Sequence, residues 1–439
     1  MTHAIALLHL DTLSPAERAA LLQRSESDLA PFVDKVKPII AAVRAEGDGA
    51  LVRFAKAFDG AEINGIAATL EDFERAHQTL EPEVLDAIQF AARNVRKFHE
   101  DQKPEEMWLH EISPGAFAGD RTTAIPSVAC YIPRGKGSFP SSVIMTCVPA
   151  SVAGVEQVCI ITPPGPDGSI DAATLVAARA AGVSRVYKCG GAQGIAAVAY
   201  GTETIPKCAK VVGPGSPWVV AAKQLCANAI DTGTPAGPSE AIIFADSSVD
   251  GRLAALDLLI EAEHGADSSA WLVTSDAELA KAARAAIPEL WKEMSETRVA
   301  YTREVFKGAR GGILLCPDAA SAIAFINDYA PEHLQILSTE PFAWLGRFKH
   351  AGEILLGPHT PSTLGNFVIG PSHVLPTGGW ARTYSALSVH DFMKRTSIAY
   401  VTREGYPALA KHAKVFAQYE GFDAHANAVG PMRMRFTRN

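Results

Sequence analysis

The chain has 439 residues, of which 48% are hydrophobic and 20% charged, and its formal net charge is −8. This length is too great for a single hydrophobic core and predicts two or three domains of ordinary globular composition. The acidic balance, without a long basic run, excludes an electrostatic case for nucleic-acid binding and favours a small ligand.

The predicted elements change character along the chain. Ser14, Pro15 and Glu17 form a capping-box pattern that predicts a short helix near the start. Apolar residues recur at helical spacing between 30 and 94, which predicts a helix-rich segment. From Ser127, short β-rich runs that end in glycine or proline loops predict βα units on a mostly parallel sheet.

A second α/β stretch is predicted from residue 241, and the tail from about Val389 is more helical and polar. The strands predicted in the two α/β stretches cover 158–161, 186–187, 211–212, 241–245, 270–274, 312–315 and 352–356.

Targeting and redox features favour one compartment. The first 22 residues lack a basic n-region and a small-residue cleavage site. The most apolar stretch, 143–162, is interrupted by Pro149 and Glu156 and does not match a membrane span. Seven scattered cysteines without a CxxC pair predict buried thiols rather than a disulfide framework or a cysteine zinc site. We therefore expect a cytoplasmic protein with no membrane partner.

The sequence lacks the GxGxxG motif that usually announces a dinucleotide site. The nearest pattern is GPGSPW at 213–218, in which Pro214 removes a backbone donor from any phosphate cradle. Glycines after a strand more often form a tight turn into a helix than a cofactor site. The pattern alone gives weak support for NAD.

Two pairs of acid and imidazole are candidates for chemistry. Glu261 and His264 are three residues apart at the end of an apolar helical run, so they can share a helix face and hold one cation. Glu332 and His333 are adjacent, and a carboxylate beside an imidazole suits proton transfer near neutral pH. A lone ExxH is more often a solvated helix face, and adjacent pairs also arise by chance.

Four further polar residues lie beside glycines in the second half of the chain: Asn366, His373, Glu420 and His425. Their separation along the sequence is too great for spacing to show whether they meet at one site.

Nine segments, in their order and mutual spacing, resemble the histidinol dehydrogenases over nearly the whole chain. They are YIPRGKGSFPSSVIM, GGAQGIAA, VVGPGS, PAGPSEAII, LLIEAEHGADS, NDYAPEHLQI, GNFVIGPSHVLPTGGWAR, LSVHDFMKRTS and EGFDAHANAV. The resemblance implies an NAD-dependent oxidoreductase of amino-acid biosynthesis with one zinc ion per subunit.

The resemblance also implies roles for particular residues. The zinc ligands of the family fall on Glu261, His264, Asn366 and His425, and its catalytic acid–base pair falls on Glu332 and His333. Its substrate-contacting positions fall on Ser239, Glu261, His264, His333, Asn366, His373, Glu420 and His425. Its NAD-contacting positions fall on Tyr131, Gln193 and Ser216.

Three of these positions depart from the family pattern. The family has glutamine at the position of Glu261, aspartate at that of Asn366 and asparagine at that of Ser216. The first two changes cancel in charge, so the metal still meets one carboxylate, one amide and two imidazoles. Because these residues also touch the substrate, the exchange bears on which alcohol is bound. The hydroxyl of Ser216 can still hydrogen-bond, with a shorter reach.

The implied fold class is α/β, with two related Rossmann-like sheet domains, a small N-terminal arm and a helical C-terminal piece exchanged in a homodimer. The expected boundaries are 1–28 for the arm, 29–130 with 241–388 for the first α/β domain, 131–240 for the second and 389–439 for the dimer-crossing segment. Glu420 and His425 would then complete the site of the partner subunit.

The implied reaction is the four-electron oxidation of a polar primary alcohol to the carboxylate through a held aldehyde. Histidinol, which gives histidine, is the default substrate, because Glu420 is retained where the family accepts a hydrogen bond from the substrate imidazole. The alternative is a paralogous dehydrogenase of another polar alcohol, such as 2,3-dihydroxypropane-1-sulfonate. A non-catalytic zinc-binding or ligand-binding relative is disfavoured, because Glu332, His333, His264 and His425 are all present.

Overall fold

The computed structural model describes residues 5–23, 29–134 and 137–436. The arm boundary expected at residue 28 and the GK pair at 135–136 of the YIPRGKG segment lie outside the described residues. The chain divides into two compact units: the first contains 1–102 and 125–392, and the second contains 103–124 and 393–439.

The elements follow in chain order. Those before residue 125 are β1 (Leu7–His9), α1 (Pro15–Leu21), α2 (Ala30–Glu46), α3 (Asp48–Asp59), α4 (Leu70–Thr79), α5 (Pro82–Asp101), β2 (Met107–Ser113) and β3 (Ala116–Ala124). The next are β4 (Ser127–Tyr131), α6 (Pro140–Ala153), β5 (Gln157–Thr162), α7 (Ala172–Ala181), β6 (Val186–Lys188), α8 (Gly191–Tyr200), β7 (Lys210–Val212) and α9 (Pro217–Cys226).

The second half of the chain continues the same numbering. It contains β8 (Glu240–Ala245), α10 (Gly251–Ala262), β9 (Ser269–Thr274), α11 (Ala277–Leu290), α12 (Glu296–Val305), β10 (Gly311–Leu315), α13 (Ala319–Tyr329), β11 (His333–Leu337), α14 (Pro341–Leu345), β12 (Glu353–Leu356), α15 (Ser362–Phe367), β13 (Met393–Val401), α16 (Tyr406–Tyr419), α17 (Asp423–Ala428) and α18 (Pro431–Phe436).

The predicted first helix is confirmed as α1. The backbone N–H of Glu17 donates to Oγ of Ser14 at 3.3 Å, and the N–H of Ser14 donates to Oε2 of Glu17 at 2.9 Å. These two bonds satisfy donors that a helix start otherwise leaves without partners. The helix-rich segment between 30 and 94 is confirmed as α2 to α5.

The first unit contains two parallel sheets with the same winding. The larger has the order β1-β10-β9-β8-β11-β12, and the smaller has the order β6-β5-β4-β7. With β1 set aside, counting strands along the chain gives 3-2-1-4-5 in the larger sheet and 3-2-1-4 in the smaller. This is the doubly wound order of Rossmann folds. The fold class is therefore confirmed: the protein is α/β with two related Rossmann-like sheets.

Buried side chains cover both sheets. Every residue of β4, β8, β9 and β11 is buried, as expected for parallel strands with helices on both faces. The helices α2 and α3 pack through Val36, Val43 and Leu51 into the same core as α8 and the smaller sheet. All seven cysteines are free and buried, which confirms the expectation of buried thiols.

The strands predicted in the first unit are all present, with ends that differ by at most one residue. The second unit holds a three-stranded antiparallel sheet, β13-β3-β2, that the sequence did not predict. The tail was expected to be more helical and polar from about Val389; it begins with a short 3-10 helix, Val389–Phe392, but the α-helices start only at Tyr406, after the nine-residue strand β13. Most residues of β13 are exposed, and it pairs with β3 far away in sequence, so no buried alternation marks it.

None of the helices among the described residues has both the length and the apolar content needed to cross a membrane.

Candidate active site

Acidic and imidazole side chains gather at the amino edge of the larger sheet. Glu240, His333 and Glu353 are the first residues of three adjacent parallel strands, β8, β11 and β12. The amino ends of parallel strands meet at one edge of a sheet, so residues up to 113 positions apart become neighbours. The last turns of α10 and α15 add Glu261 and Asn366 to the same group.

Three of the four predicted metal ligands are in contact. Nδ2 of Asn366 donates to Oε1 of Glu261 at 2.7 Å, and Nδ1 of His264 lies 3.0 Å from Oε2 of Glu261. The expectation that Glu261 and His264 share a helix face is wrong in detail, because α10 ends at Ala262. His264 follows the helix end and bends back to the carboxylate. Oγ of Ser239 lies 2.8 Å from the same ring nitrogen.

These donors suit a borderline cation such as zinc. Oε1 of the buried Glu261 accepts the amide of Asn366 and Oε2 lies beside Nδ1 of His264, so a metal would bind this carboxylate in place of those contacts. Among the described residues, no cluster of three or more histidines, cysteines, aspartates or glutamates is arranged to hold a metal. The first unit therefore brings together one carboxylate, one imidazole and one amide.

The predicted acid–base pair is buried, with Glu332 6% and His333 3% exposed. Nδ1 of His333 lies 3.3 Å from the carbonyl oxygen of Glu240 and 3.5 Å from Oε2 of Glu332. Nε2 of His333 lies 3.1 Å from Oδ1 of Asn366. Oε2 of Glu332 also accepts the backbone N–H of Glu240 at 2.8 Å. Both ring nitrogens of His333 thus face oxygen atoms, an arrangement that favours the protonated ring.

Burial and mutual charge shift the pKa values of this group in opposite directions. Burial alone would lower the pKa of His333, but the carboxylates of Glu261 and Glu332 raise it well above its usual range. Burial raises the pKa of Glu332. Burial alone would also raise the pKa of Glu261, but the imidazoles of His264 and His333 hold this pKa below its usual value.

The predicted substrate residue His373 is held as a neutral ring. Burial lowers its pKa to about 4. Its Nδ1 lies 2.7 Å from the carbonyl oxygen of Asn366, and its Nε2 lies 3.1 Å from Oγ of Ser142. His373 therefore fixes the backbone of a predicted metal ligand through its own ring.

Sequence reasoning assigned no function to two glutamates of this site. Oε1 of Glu240 accepts the backbone N–H of Gly378 at 2.9 Å, and its carbonyl group faces His333. Glu353 is the register partner of His333 on β12, and burial raises its pKa to about 7. One signal was available: each is a glutamate at the start of a strand that is otherwise apolar, where an unpaired charge is rarely buried.

The predicted NAD contacts lie at the carboxyl edge of the smaller sheet. Tyr131 is the last residue of β4, Gln193 lies in the first turn of α8 after β6, and Ser216 precedes α9 after β7. The hydroxyl oxygen of Tyr131 accepts the backbone N–H of Gly191 at 3.3 Å. The strand order reverses between β4 and β7, and doubly wound sheets bind ligands at the carboxyl ends of strands beside such a reversal.

The carboxyl edge of the larger sheet is closed by its own polar groups. Asp246, which follows β8, accepts hydrogen bonds from Oγ of Ser338 at 2.6 Å, Nε1 of Trp344 at 2.9 Å and the backbone N–H of Ser248 at 3.0 Å. Burial alone would raise the pKa of Asp246, but the hydrogen bonds to its carboxylate hold this pKa below its usual value.

Two predicted site residues belong to the second unit. Glu420 follows α16, and His425 lies on α17 with its ring 5.2 Å from that of Phe422. Both side chains are exposed, so their ring and carboxylate atoms are accessible.

Comparisons with known proteins agree over the whole length. Residues 22–434 match the family described as histidinol dehydrogenase. The chain is 60% identical to histidinol dehydrogenase homolog 2 of Mesorhizobium japonicum, over 97% of this chain and 98% of that protein. It is 45% identical to histidinol dehydrogenase of a Synechocystis species, over 96% and 98%. It is also similar to the crystal structure of histidinol dehydrogenase from Elizabethkingia anophelis, with a TM-score of 0.93 and 31% identity over 99% and 98% of the two chains.

Proposed function

Because the chain belongs to the histidinol dehydrogenase family, a family of oxidoreductases, we propose that it oxidises a small polar alcohol to the carboxylate with zinc and NAD. The observation that carries this proposal is the buried pair Glu332 and His333, in contact with the donor group Glu261, His264 and Asn366. A proton-transfer pair beside a set of metal donors is what alcohol oxidation requires.

His333 takes the proton of the alcohol at Nε2 in its neutral form, which becomes accessible when a cation bound by Glu261 offsets the charge that raises the pKa of the ring. Nδ1 is already directed at the carbonyl oxygen of Glu240, which fixes the orientation of the ring. Nε2 faces Oδ1 of Asn366, so the alcohol oxygen replaces this amide as its partner. Glu332 activates water against the aldehyde in the second oxidation, and the backbone N–H of Glu240 holds its carboxylate in place.

Glu261, His264 and Asn366 would hold the zinc ion together with His425 of a partner subunit. When bound, the zinc ion would polarise and orient the alcohol oxygen, and NAD would supply the hydride acceptor for the two oxidations. Tyr131, Gln193 and Ser216 would contact NAD. A buried site also protects a held aldehyde from side reactions.

The charge of the site favours a neutral or cationic alcohol. The charged groups that shift pKa values within it are its own glutamates and histidines. The carboxylate of Glu261, whose pKa is held below its usual value, would repel a sulfonate that no lysine or arginine accompanies. Histidinol is therefore the first substrate to test.

A specific observation favours the alternative substrate. Four relatives that are 56–60% identical carry the name histidinol dehydrogenase homolog, whereas those named histidinol dehydrogenase are 39–45% identical. Another polar alcohol, such as 2,3-dihydroxypropane-1-sulfonate, is accordingly the second candidate.

The proposal includes a homodimer in which segment 389–439 is exchanged. Glu420 and His425 of one subunit then complete the site of the other, and two shared sites follow from the twofold symmetry. The domain boundaries at 130–131, 240–241 and 388–389 belong to this proposal.

The test is the initial rate of NAD reduction by the zinc-loaded protein. Histidinol, 2,3-dihydroxypropane-1-sulfonate and 1,2-propanediol are compared, with the Glu420→Gln variant in parallel. With histidinol as substrate, this variant should lower kcat/KM by about tenfold or more, because it removes a charge-assisted hydrogen bond. Turnover of the sulfonate without turnover of histidinol would replace the default substrate, and no turnover of any polar alcohol would contradict the proposal.

A further inference from the structure

Lys223 reaches the predicted cofactor loop from α9. Its Nζ donates to the carbonyl oxygen of Gly213 at 2.7 Å. Side chains on a helix lean toward its amino terminus, so a lysine two turns inside α9 extends back to the loop that precedes the helix. The ammonium group is therefore placed beside the segment 213–216, which connects β7 to α9.

This loop is pressed against the end of β4. Gly213 has a φ of +112°, and a Cβ atom there would lie 2.2 Å from the carbonyl oxygen of Tyr131. A residue with a side chain cannot occupy this position, so the loop runs in close contact with β4, and Lys223 bonds to the loop at this point. Its ammonium group lies where the strand order reverses between β4 and β7.

Among the described residues, no carboxylate forms an ion pair with Lys223. Burial lowers its pKa to about 8, and no neighbouring charge compensates. Lys210, at the opposite end of β7, differs: its Nζ lies 3.3 Å from Asp231. Lys223 has three N–H donors and one protein acceptor, so an anion could fill its remaining positions.

We infer that Lys223 receives the diphosphate group of a nucleotide at the carboxyl edge of the smaller sheet. The site is at the reversal point of a doubly wound sheet, and α9 directs its amino terminus, with a partial positive charge, toward the same loop. The side chain of Ser216 makes no capping hydrogen bond, which leaves its hydroxyl for the same ligand. This inference rests on the proposed use of NAD and names the residue that recognises its charged part.

The alternative role for Lys223 is to anchor the loop alone, and a pair of probes separates the two. ADP and adenosine differ only in the diphosphate group, and their dissociation constants are measured by calorimetry on the full protein. Lys223→Met should weaken ADP and NAD by about tenfold or more and leave adenosine unchanged, because a charge-assisted contact is lost. Lys223→Arg should retain most of the ADP affinity.

Lys210→Met is the matched control, because it removes a partly buried lysine at the amino end of β7, the end away from the loop 213–216. It should leave both dissociation constants unchanged. Equal weakening of ADP and adenosine in Lys223→Met would show a loop anchor and overturn the inference, as would unchanged ADP binding. If that variant does not fold, the wild-type response to salt decides: affinity for ADP, but not for adenosine, should fall with ionic strength.

The outcomes also distinguish this inference from the proposed function. ADP binding through Lys223 without NAD reduction by any polar alcohol would leave the diphosphate site in place and remove the dehydrogenase activity. NAD reduction with ADP binding that is independent of Lys223 would support the dehydrogenase activity and overturn the role of Lys223.

Discussion

The two parallel sheets share one winding order but carry polar groups at opposite edges. In the smaller sheet the predicted cofactor residues Tyr131 and Ser216 lie at the carboxyl edge. In the larger sheet the acid–base pair lies at the amino edge, and the carboxyl edge is closed around Asp246. An identical topology therefore does not determine which edge carries the chemistry.

The polarity of the helices explains why each edge suits its ligand. In a βα unit the helix begins near the carboxyl edge of the sheet and ends near the amino edge. The partial positive charge at the start of α9 suits the anionic diphosphate of a nucleotide. The partial negative charge at the end of α10, beside Glu261, suits a cation such as zinc. At each edge, the partial charge of the helix end thus has the same sign as the charge of the side chains there.

The largest effect should follow from His333→Asn at the amino edge. It should lower kcat for alcohol oxidation by roughly 10²–10⁴-fold, the usual contribution of a positioned general base. The dissociation constant of ADP should not change, because the proposed nucleotide site lies on the other sheet. His77→Asn, an exposed histidine on α4, is the control. Equal losses in turnover and ADP affinity in His333→Asn would contradict the proposal that the larger sheet carries the catalytic residues and the smaller sheet the nucleotide site.

Removal of the metal should come next. Dialysis against a strong chelator should abolish activity, and zinc should restore it. Glu261→Ala should weaken zinc binding by about tenfold or more, since it removes the one carboxylate among the proposed ligands, which also contacts His264 and Asn366. Glu263→Ala removes the same group two residues away and should have little effect. Unchanged zinc affinity in Glu261→Ala, measured by competition with a chromogenic chelator, would exclude this metal site.

A smaller effect is expected from Tyr131→Phe at the carboxyl edge of the smaller sheet. The variant removes the acceptor for the N–H of Gly191, a neutral hydrogen bond worth about 0.5–1.5 kcal/mol. The KM for NAD should rise by about two- to tenfold, with kcat for the alcohol nearly unchanged. A fall in kcat with constant KM would place Tyr131 in the chemistry rather than in cofactor binding.

The smallest effect on activity should follow from Asp246→Asn at the carboxyl edge of the larger sheet. This variant weakens four hydrogen bonds to a carboxylate, of which the fourth comes from Oγ of Ser248, so the free energy of unfolding should fall by about 1–3 kcal/mol. KM and kcat at 25 °C should stay within about twofold of the wild type. Thermal denaturation and steady-state rates are measured on one preparation. A large rise in KM for NAD would show that this edge also binds a ligand.

The sequence predicted those features that depend on local patterns. Buried β-rich runs bounded by glycine and proline marked the parallel strands β5 to β10 and β12, but not β1, β4 or β11, and Ser14 with Glu17 marked α1. The strand β13 was missed because its exposed residues pair with a distant partner. Local pattern carries no information about such a pairing.

The candidate site was predicted mainly through the family resemblance. Spacing suggested that Glu261 and His264 could meet, and they do, although through a bend after the helix. Glu240 and Glu353 received no role, because only the register of β8, β11 and β12 brings them beside His333. Strand order is a global property, and single-residue spacing does not reveal it.

The position of β1 at the edge of the larger sheet bears on the order in which the chain folds. β1 pairs with β10 through Leu7 and Ile313, so its partner is made late in synthesis. The smaller sheet and the helices that cover it form one core from residues within 36–230. Domains generally fold as they leave the ribosome, and unpaired strand edges are prone to aggregate. We therefore expect the smaller sheet to form during synthesis before β10 is made, so β1 is still unpaired at that stage.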